Sequence, residues 1–153
     1  GLCKQTEPPE GCWETGIQSA LRSHPRYILV GEIRSAESAS EALRAASSGH
    51  LVVTTIHANN IEDTLSAFIK YGQSAGMGEM AVDLLARSVL GVINQRLIIG
   101  ANGQKTPDVK FLFFNPDLNA ADQGRMLIRS KSLQFQTIME QQVNKLNRGA
   151  NLF

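Results

Sequence analysis

Tyr27-Ile28-Leu29-Val30-Gly31 and Leu51-Val52-Val53-Thr54-Thr55-Ile56 are the two stretches that decide the fold class. Both are short, apolar and rich in β-branched or aromatic residues, and neither alternates with polar residues. That pattern predicts strands buried on both faces, as in a parallel sheet covered by helices. Between them Ala39, Ala42, Leu43 and Ala46 recur at helical spacing, with Ser38 and Glu41 set as a capping box and Gly49 as the stop. Strand, amphipathic helix and strand within about 30 residues is the spacing of a right-handed βαβ unit. The chain is therefore expected to be α/β.

Upstream of this unit, residues 1–16 carry Pro8, Pro9 and Gly11 among polar residues, a composition that opposes helix and central strand alike and is expected to be a loop or a cut end. A short helix follows from Ile17 to Ser23, stopped by Pro25. Downstream, Asn60 is placed to cap a helix whose stripe is Ile61, Leu65, Phe68 and Ile69. Gly72, Gly76 and Gly78 mark a loop, and Leu84, Leu85, Val89, Val92 and Ile93 predict a longer helix beginning at Glu79. Leu97–Ile99 is expected to be extended and Asn102-Gly103 to form a hairpin turn. Phe111–Phe114 is expected as a strand, and Leu133–Leu146 as a terminal helix with Phe135, Ile138, Met139 and Leu146 inward. No internal repeat or low-complexity tract interrupts the chain, which divides in this reading into 1–16, a core over 17–100 and a strand and helix extension over 101–153.

Composition narrows the function classes. The chain has 153 residues, 42% of them hydrophobic, which is enough for a sizeable core. Lys+Arg number 15 against 14 Asp+Glu, so no excess field points to nucleic acid or an anionic membrane. Residues 125–148 do concentrate Arg125, Arg129, Lys131, Lys145 and Arg148 against Glu140 alone, which a solvated helix face explains; no specific nucleic-acid binding is expected. The longest apolar runs fall far short of the roughly 18 residues of a membrane-spanning helix, and no secretory signal pattern is present, so a cytoplasmic location is expected. Cys3 and Cys12 have no further cysteines to complete a zinc site and read as incidental thiols.

In open parallel sheets, ligands gather beyond the carboxyl ends of the strands. Glu32 follows the first strand, where a carboxylate can hold Mg²⁺ through water or polarise a water that attacks a phosphate; it can equally cap or pair with Arg34. His50 and His57 frame the second strand seven residues apart, about 20 Å, so they cannot share one metal ion. His57, at the carboxyl end behind Thr54 and Thr55, is placed to contact a ligand, whereas His50 suits a structural role. Arg22 and Arg96 are single basic residues that can reach a phosphate or a neighbouring subunit, or simply form local salt bridges. No Gly-x-Ser-x-Gly elbow supports a catalytic serine.

Taken in order, Leu21-Arg22, Ile28-Leu-Val-Gly-Glu-Ile-Arg34, Gly49-His-Leu-Val-Val-Thr-Thr-Ile-His57 and Ile93-Asn-Gln-Arg-Leu97 resemble the hexameric traffic ATPases of type II and type IV secretion, conjugation and type IV pilus extension or retraction. The resemblance covers about residues 17–99. It implies the carboxyl-terminal part of a RecA-like P-loop NTPase core, with Ile28–Arg34 as the Walker B box and Gly49–His57 as the histidine box. It further implies catalytic roles for Glu32 and His57, a water-mediated Mg²⁺ contact from Glu32, and nucleotide-associated or inter-subunit roles for Arg22, Arg34, His50, Thr55 and Arg96. The cofactors implied are ATP and Mg²⁺ in the parent protein, none held tightly by this chain. The partners implied are its own N-terminal half, neighbouring subunits of a homohexamer and inner-membrane platform proteins, with the parent peripheral to the bacterial inner membrane. One element of the family is missing: Lys4, Lys70, Lys105, Lys110, Lys131 and Lys145 follow Cys, Ile, Gln, Val, Ser and Asn, so no Gly-Lys pair forms a phosphate-binding loop. The chain is accordingly expected to be a fragment inactive on its own, or alternatively a non-catalytic module that docks on such an ATPase.

Overall fold

The computed structural model describes residues 3–7, 9, 12–117 and 121–153. Packing divides them into two compact units, one comprising the chain up to Ile56 together with Phe68–Ser88, the other His57–Ala67 and Val89–Phe153.

Unit one is built on the βαβ unit. Strand β1 (Tyr27–Val30) and strand β2 (Leu51–Thr54) pair in parallel, with Tyr27 opposite Leu51 and Val30 opposite Thr54. Helix α2 (Ala36–Ser47) connects them. The helix starts one turn earlier than the sequence suggests: Ser35 is the N-cap, its hydroxyl accepting the Ser38 amide at 3.2 Å while the Ser38 hydroxyl accepts the Ser35 amide. The expected Ser38–Glu41 box is therefore corrected to Ser35–Ser38. A serine hydroxyl can accept as a glutamate does, and the extended backbone of Ser35 is what an N-cap needs.

Helix α2 buries Ser38, Ala39, Ser40, Ala42, Leu43 and Ala45, while Ala46 stays half-buried. Small side chains let neighbours approach closely. Helix α1 (Trp13–Leu21), helix α4 (Glu79–Ser88) and the π-helical turn Gln73–Met77 all pack on α2. Helix α1 begins inside the stretch expected as a loop. The expected loop residues Pro8 and Gly11 lie outside the described residues. Ile17 of α1, Ile28 and Val30 of β1, and Ile33 form one cluster with the α2 alanines.

The expectation that β1 is buried on both faces is not met. Ile28 and Val30 are 7% and 4% exposed, but Tyr27 and Leu29 are 64% and 67% exposed, and Leu51 and Val53 beside them are exposed too. Helices cover one face of this two-stranded sheet; within the described residues nothing covers the other.

Helix α3 (Ile61–Gly72) starts as expected, the Asn60 side chain accepting the Asp63 amide at 2.7 Å. Ile61, Leu65 and Ile69 are buried and Phe68 half-buried, the predicted stripe. Its last residue, Gly72, leaves no room for a side chain: a Cβ there would lie 2.7 Å from the Ala81 Cβ of α4 and 3.4 Å from Leu43.

Unit two holds a long antiparallel hairpin, β3 (Gly91–Ile99) and β4 (Lys105–Phe113), closed by a turn in which Gly103 has φ +76°. The Asn102-Gly103 turn is where the sequence places it. The predicted long helix stops at Ser88 instead of continuing through Ile93, and Gly91-Val-Ile is strand. β-Branched residues beside a glycine lose little in a strand and more in a helix. Strand β4 is also longer than the predicted Phe111–Phe114. Helix α5 (Gln123–Arg129), capped by Asp122, was not foreseen. Helix α6 (Gln136–Asn147) replaces the predicted 133–146 helix. Phe135 and Met139 are buried as expected and Ile138 half-buried, but Leu146 is exposed, lying on the open side of α6's last turn.

Two stability predictions follow from unit one. Alanine at a helix position normally gains up to about 1 kcal/mol over glycine, but forcing a methyl into a packed contact costs about 1–3 kcal/mol. Gly72→Ala is therefore expected to lower the urea midpoint, and a raised midpoint would refute the close α3–α4 approach. Glu41 has its pKa raised above the ordinary 4.5, chiefly by burial; Arg44, 3.7 Å away, opposes this and Glu14 and Glu37 reinforce it. An acid with a raised folded-state pKa binds more protons folded than unfolded, so it lowers stability as pH rises through 4.5 towards its folded value. Glu41→Gln is expected to remove that component, so the Tm advantage of the variant should grow between pH 4 and neutrality.

Candidate functional site at the carboxyl end of the parallel strands

The chain leaves β1 at Gly31 and β2 at Thr55, and two hydrogen bonds tie these exits together. The Thr55 hydroxyl donates to the Gly31 carbonyl at 2.6 Å, and the Ile33 amide donates to the Thr55 carbonyl at 2.8 Å. Ile33 itself is 2% exposed, an apolar anchor in the unit-one core. Glu32 is thereby held between a tethered glycine and a buried isoleucine, directly beyond the sheet. Its carboxylate is half-buried and pairs with the exposed Arg34 guanidinium at 2.5 Å. The hydrogen bond and charge of Glu32 push the Arg34 pKa further above its ordinary value.

Thus the structure brings together Glu32, Arg34 and Thr55 at one end of the sheet. His50 lies at the other end, before β2, its amide bonded to the Ala45 carbonyl at 3.3 Å and its Nδ1 buried with no hydrogen-bond partner among the described residues. Arg22 is exposed at the end of α1. In unit two, His57 is exposed, and the neighbouring Ala58 carbonyl accepts the Asn94 side-chain amide of β3 at 3.3 Å. Arg96 donates Nε to Asp108, its cross-strand partner, at 2.6 Å. Asp108 escapes sequence reading because it becomes a partner only when the hairpin register is known.

Sequence reading also missed the group around Arg125. This arginine is 5% exposed, lies 5.6 Å from the Phe114 ring centroid, and donates to the Asn115 carbonyl at 2.9 Å. Asp122 caps α5, accepts the Asn115 amide at 2.6 Å and pairs with the Arg125 guanidinium. Burial lowers the Arg125 pKa, Asp122 opposes that, and Arg129 adds to it. Arg125 is thus an internal brace, which removes it from the basic surface of residues 125–148.

Among the described residues no group of three or more His, Cys, Asp or Glu could hold a metal ion. A lone half-buried carboxylate at a strand end fits a Mg²⁺ held mainly by water and substrate phosphates, which needs only one or two protein carboxylates. Among the described residues no helix is long and apolar enough to cross a membrane.

The parallel βαβ unit thus carries a carboxylate beyond its first strand and a threonine tether beyond its second, and the fold can be compared with solved structures. The Legionella pneumophila ATPase DotB superposes with a TM-score of 0.71 at 23% identity, over 96% of this chain and 42% of that one. The pilus retraction motor PilT, solved with bound ADP, superposes with a TM-score of 0.68 at 30% identity, over 97% of this chain and 40% of that one. The fold is that of the RecA-like traffic ATPases. Type II secretion system protein E of Pectobacterium carotovorum subsp. carotovorum is 40% identical over 85 residues, 54% of this chain and 15% of that protein. The family model described as Type II/IV secretion system protein matches residues 10–146, and the chain belongs to that family. It spans well under half the length of these relatives.

The Thr55 tether gives a direct test of the site's construction. Thr55→Val removes the hydroxyl donor and leaves the solvent-exposed Gly31 carbonyl to water, so it is expected to cost about 0.5–1 kcal/mol in urea unfolding. Thr55→Ser should restore most of it.

Proposed function

We propose that this chain is the distal part of the motor domain of an ATPase that powers type IV secretion, conjugation or pilus assembly and retraction. The observation that carries the reading is Glu32, fixed beyond β1 by the Thr55–Gly31 and Ile33–Thr55 bonds within a fold shared with traffic ATPases. In this reading residues 17–100 are the partial RecA-like core, Ile28–Arg34 the Walker B box and Gly49–His57 the histidine box. Glu32 orients the attacking water and accepts its proton. His57 links the γ-phosphate state to subunit motion, and Arg22, Arg34, His50, Thr55 and Arg96 act in nucleotide contact or at subunit boundaries. Mg²⁺, when bound with ATP, supplies neutralisation of phosphate charge, and Glu32 reaches it through water. The uncovered face of β1 and β2 and the short span against relatives support a larger parent sheet. That parent would form a homohexamer in the cytoplasm against inner-membrane platform proteins.

The second reading is a non-catalytic module that keeps the βαβ surface and docks on such an ATPase, and the presence of both Glu32 and His57 favours the motor over it. One experiment separates them. In the full gene product, Glu32→Gln is expected to cut ATP turnover about 10²–10⁴-fold while leaving nucleotide binding in place, and the 153-residue chain alone should show no turnover. A full product that never hydrolyses ATP supports the module, and unchanged turnover in the variant overturns the role of Glu32.

A further inference from the structure

The hairpin of unit two has one strand edge whose backbone is open. In an antiparallel pair, residues alternate between those whose amide and carbonyl face the partner strand and those whose groups face away. The Phe114 amide bonds to the Leu90 carbonyl and the Gly100 amide to the Gln104 carbonyl, so even-numbered residues of β4 face β3. Odd-numbered residues face outward. Phe113 is one of these, and both its groups are taken by a single side chain: Gln142 of α6 accepts its amide at 3.0 Å and donates to its carbonyl at 2.6 Å. Gln142 is 5% exposed, a buried amide standing in for a strand. At the other end Pro107 faces outward and has no amide to offer. Between the glutamine clamp and the proline, the outward groups of Val109 and Phe111 have no partner among the described residues.

This open stretch borders a groove. Val109, Lys110 and Phe111 form one wall and Met139, Glu140 and Val143 of α6 the other, around a cavity of about 350 Å³. Strand-spaced amides and carbonyls beside an apolar trough are what an extended peptide satisfies and a compact apolar ligand does not. The charge pattern then selects the occupant. A second copy joining Val109 to Phe111 through the same edge would set Lys110 against Lys110, and like charges directly opposite are destabilising. Lys110 is exposed with no ion-pair partner among the described residues, whereas Glu140 accepts from the Gln136 amide at 2.6 Å.

We propose that β4 and α6 form a docking groove for an extended segment of a partner protein, which adds as an antiparallel strand along Val109–Phe111. Two apolar residues of the segment lie opposite Val109 and Phe111, and an acidic residue between them lies opposite Lys110. This proposal is independent of the ATPase reading, since none of its residues belongs to that site.

The test uses the isotope-labelled 153-residue chain and a blocked peptide of sequence Thr-Val-Glu-Val-Thr. Binding is expected to shift the Val109 and Phe111 amides and protect them from hydrogen exchange. N-methylation of both peptide valines removes the donors that face β4 and should weaken binding about tenfold or more. Val109→Pro deletes an outward amide without touching the β3 ladder and should abolish the response. Lys110→Glu should weaken binding about twofold to fivefold, with recovery on a peptide carrying Lys in place of Glu; this charge exchange keeps the test decisive if the proline variant fails to fold. No response to the peptide, equal binding of the N-methylated form, or protection of Val109 and Phe111 that rises with protein concentration alone would each overturn the proposal.

Discussion

The row of small side chains on α2 is the constraint on which unit one depends. Ser38, Ala39, Ser40, Ala42 and Ala45 present almost no bulk, and α1, α4 and the Gln73–Met77 turn all settle onto them. The serines satisfy themselves within the helix, Ser38 on the Ser35 carbonyl at 3.0 Å and Ser40 on the Glu37 carbonyl at 2.9 Å, so burial leaves no hydroxyl unbonded. Larger residues here would push three neighbours outward at once, because a packed interior has no slack to absorb them.

That packing reaches the site through Ile33. The residue is anchored in the same core as the α2 alanines, and its amide is the donor that joins the two strand exits. Glu32 is therefore placed from two directions, by burial of the residue after it and by the Thr55 bond to the glycine before it. Arg34, by contrast, is exposed and pairs with Glu32. Such a pair contributes little to stability and can open at small cost, so the backbone at Glu32 stays held while the pair with Arg34 opens and closes.

Much of this was legible in the sequence. The βαβ spacing, the Asn60 cap, the Asn102-Gly103 turn and the position of Glu32 beyond β1 each rest on local chemistry that a sequence states directly. What the sequence concealed depended on tertiary context. An uninterrupted apolar run cannot say whether one or both faces of β1 are covered, and Tyr27 and Leu29 are exposed. Val92 and Ile93 fit a helical stripe as well as a strand until their pairing with Leu112 and Phe111 is known. Arg96 found Asp108, and Arg125 found Phe114 and Asn115, through register and burial that spacing does not encode. For the candidate site, the Thr55–Gly31 tether was likewise invisible, since its partner is a backbone carbonyl 24 positions away.

The one-sided sheet has a thermodynamic consequence. Tyr27, Leu29, Leu51 and Val53 are about half or more exposed in the folded chain, so unfolding adds less to their contact with water than it does for a covered sheet. The heat-capacity increment and the denaturant slope both scale with newly wetted surface, and both should fall below the values usual for a chain of this length. A small increment flattens the curve of stability against temperature. Cooling therefore weakens this fold less than it weakens a domain whose sheet is sealed on both sides.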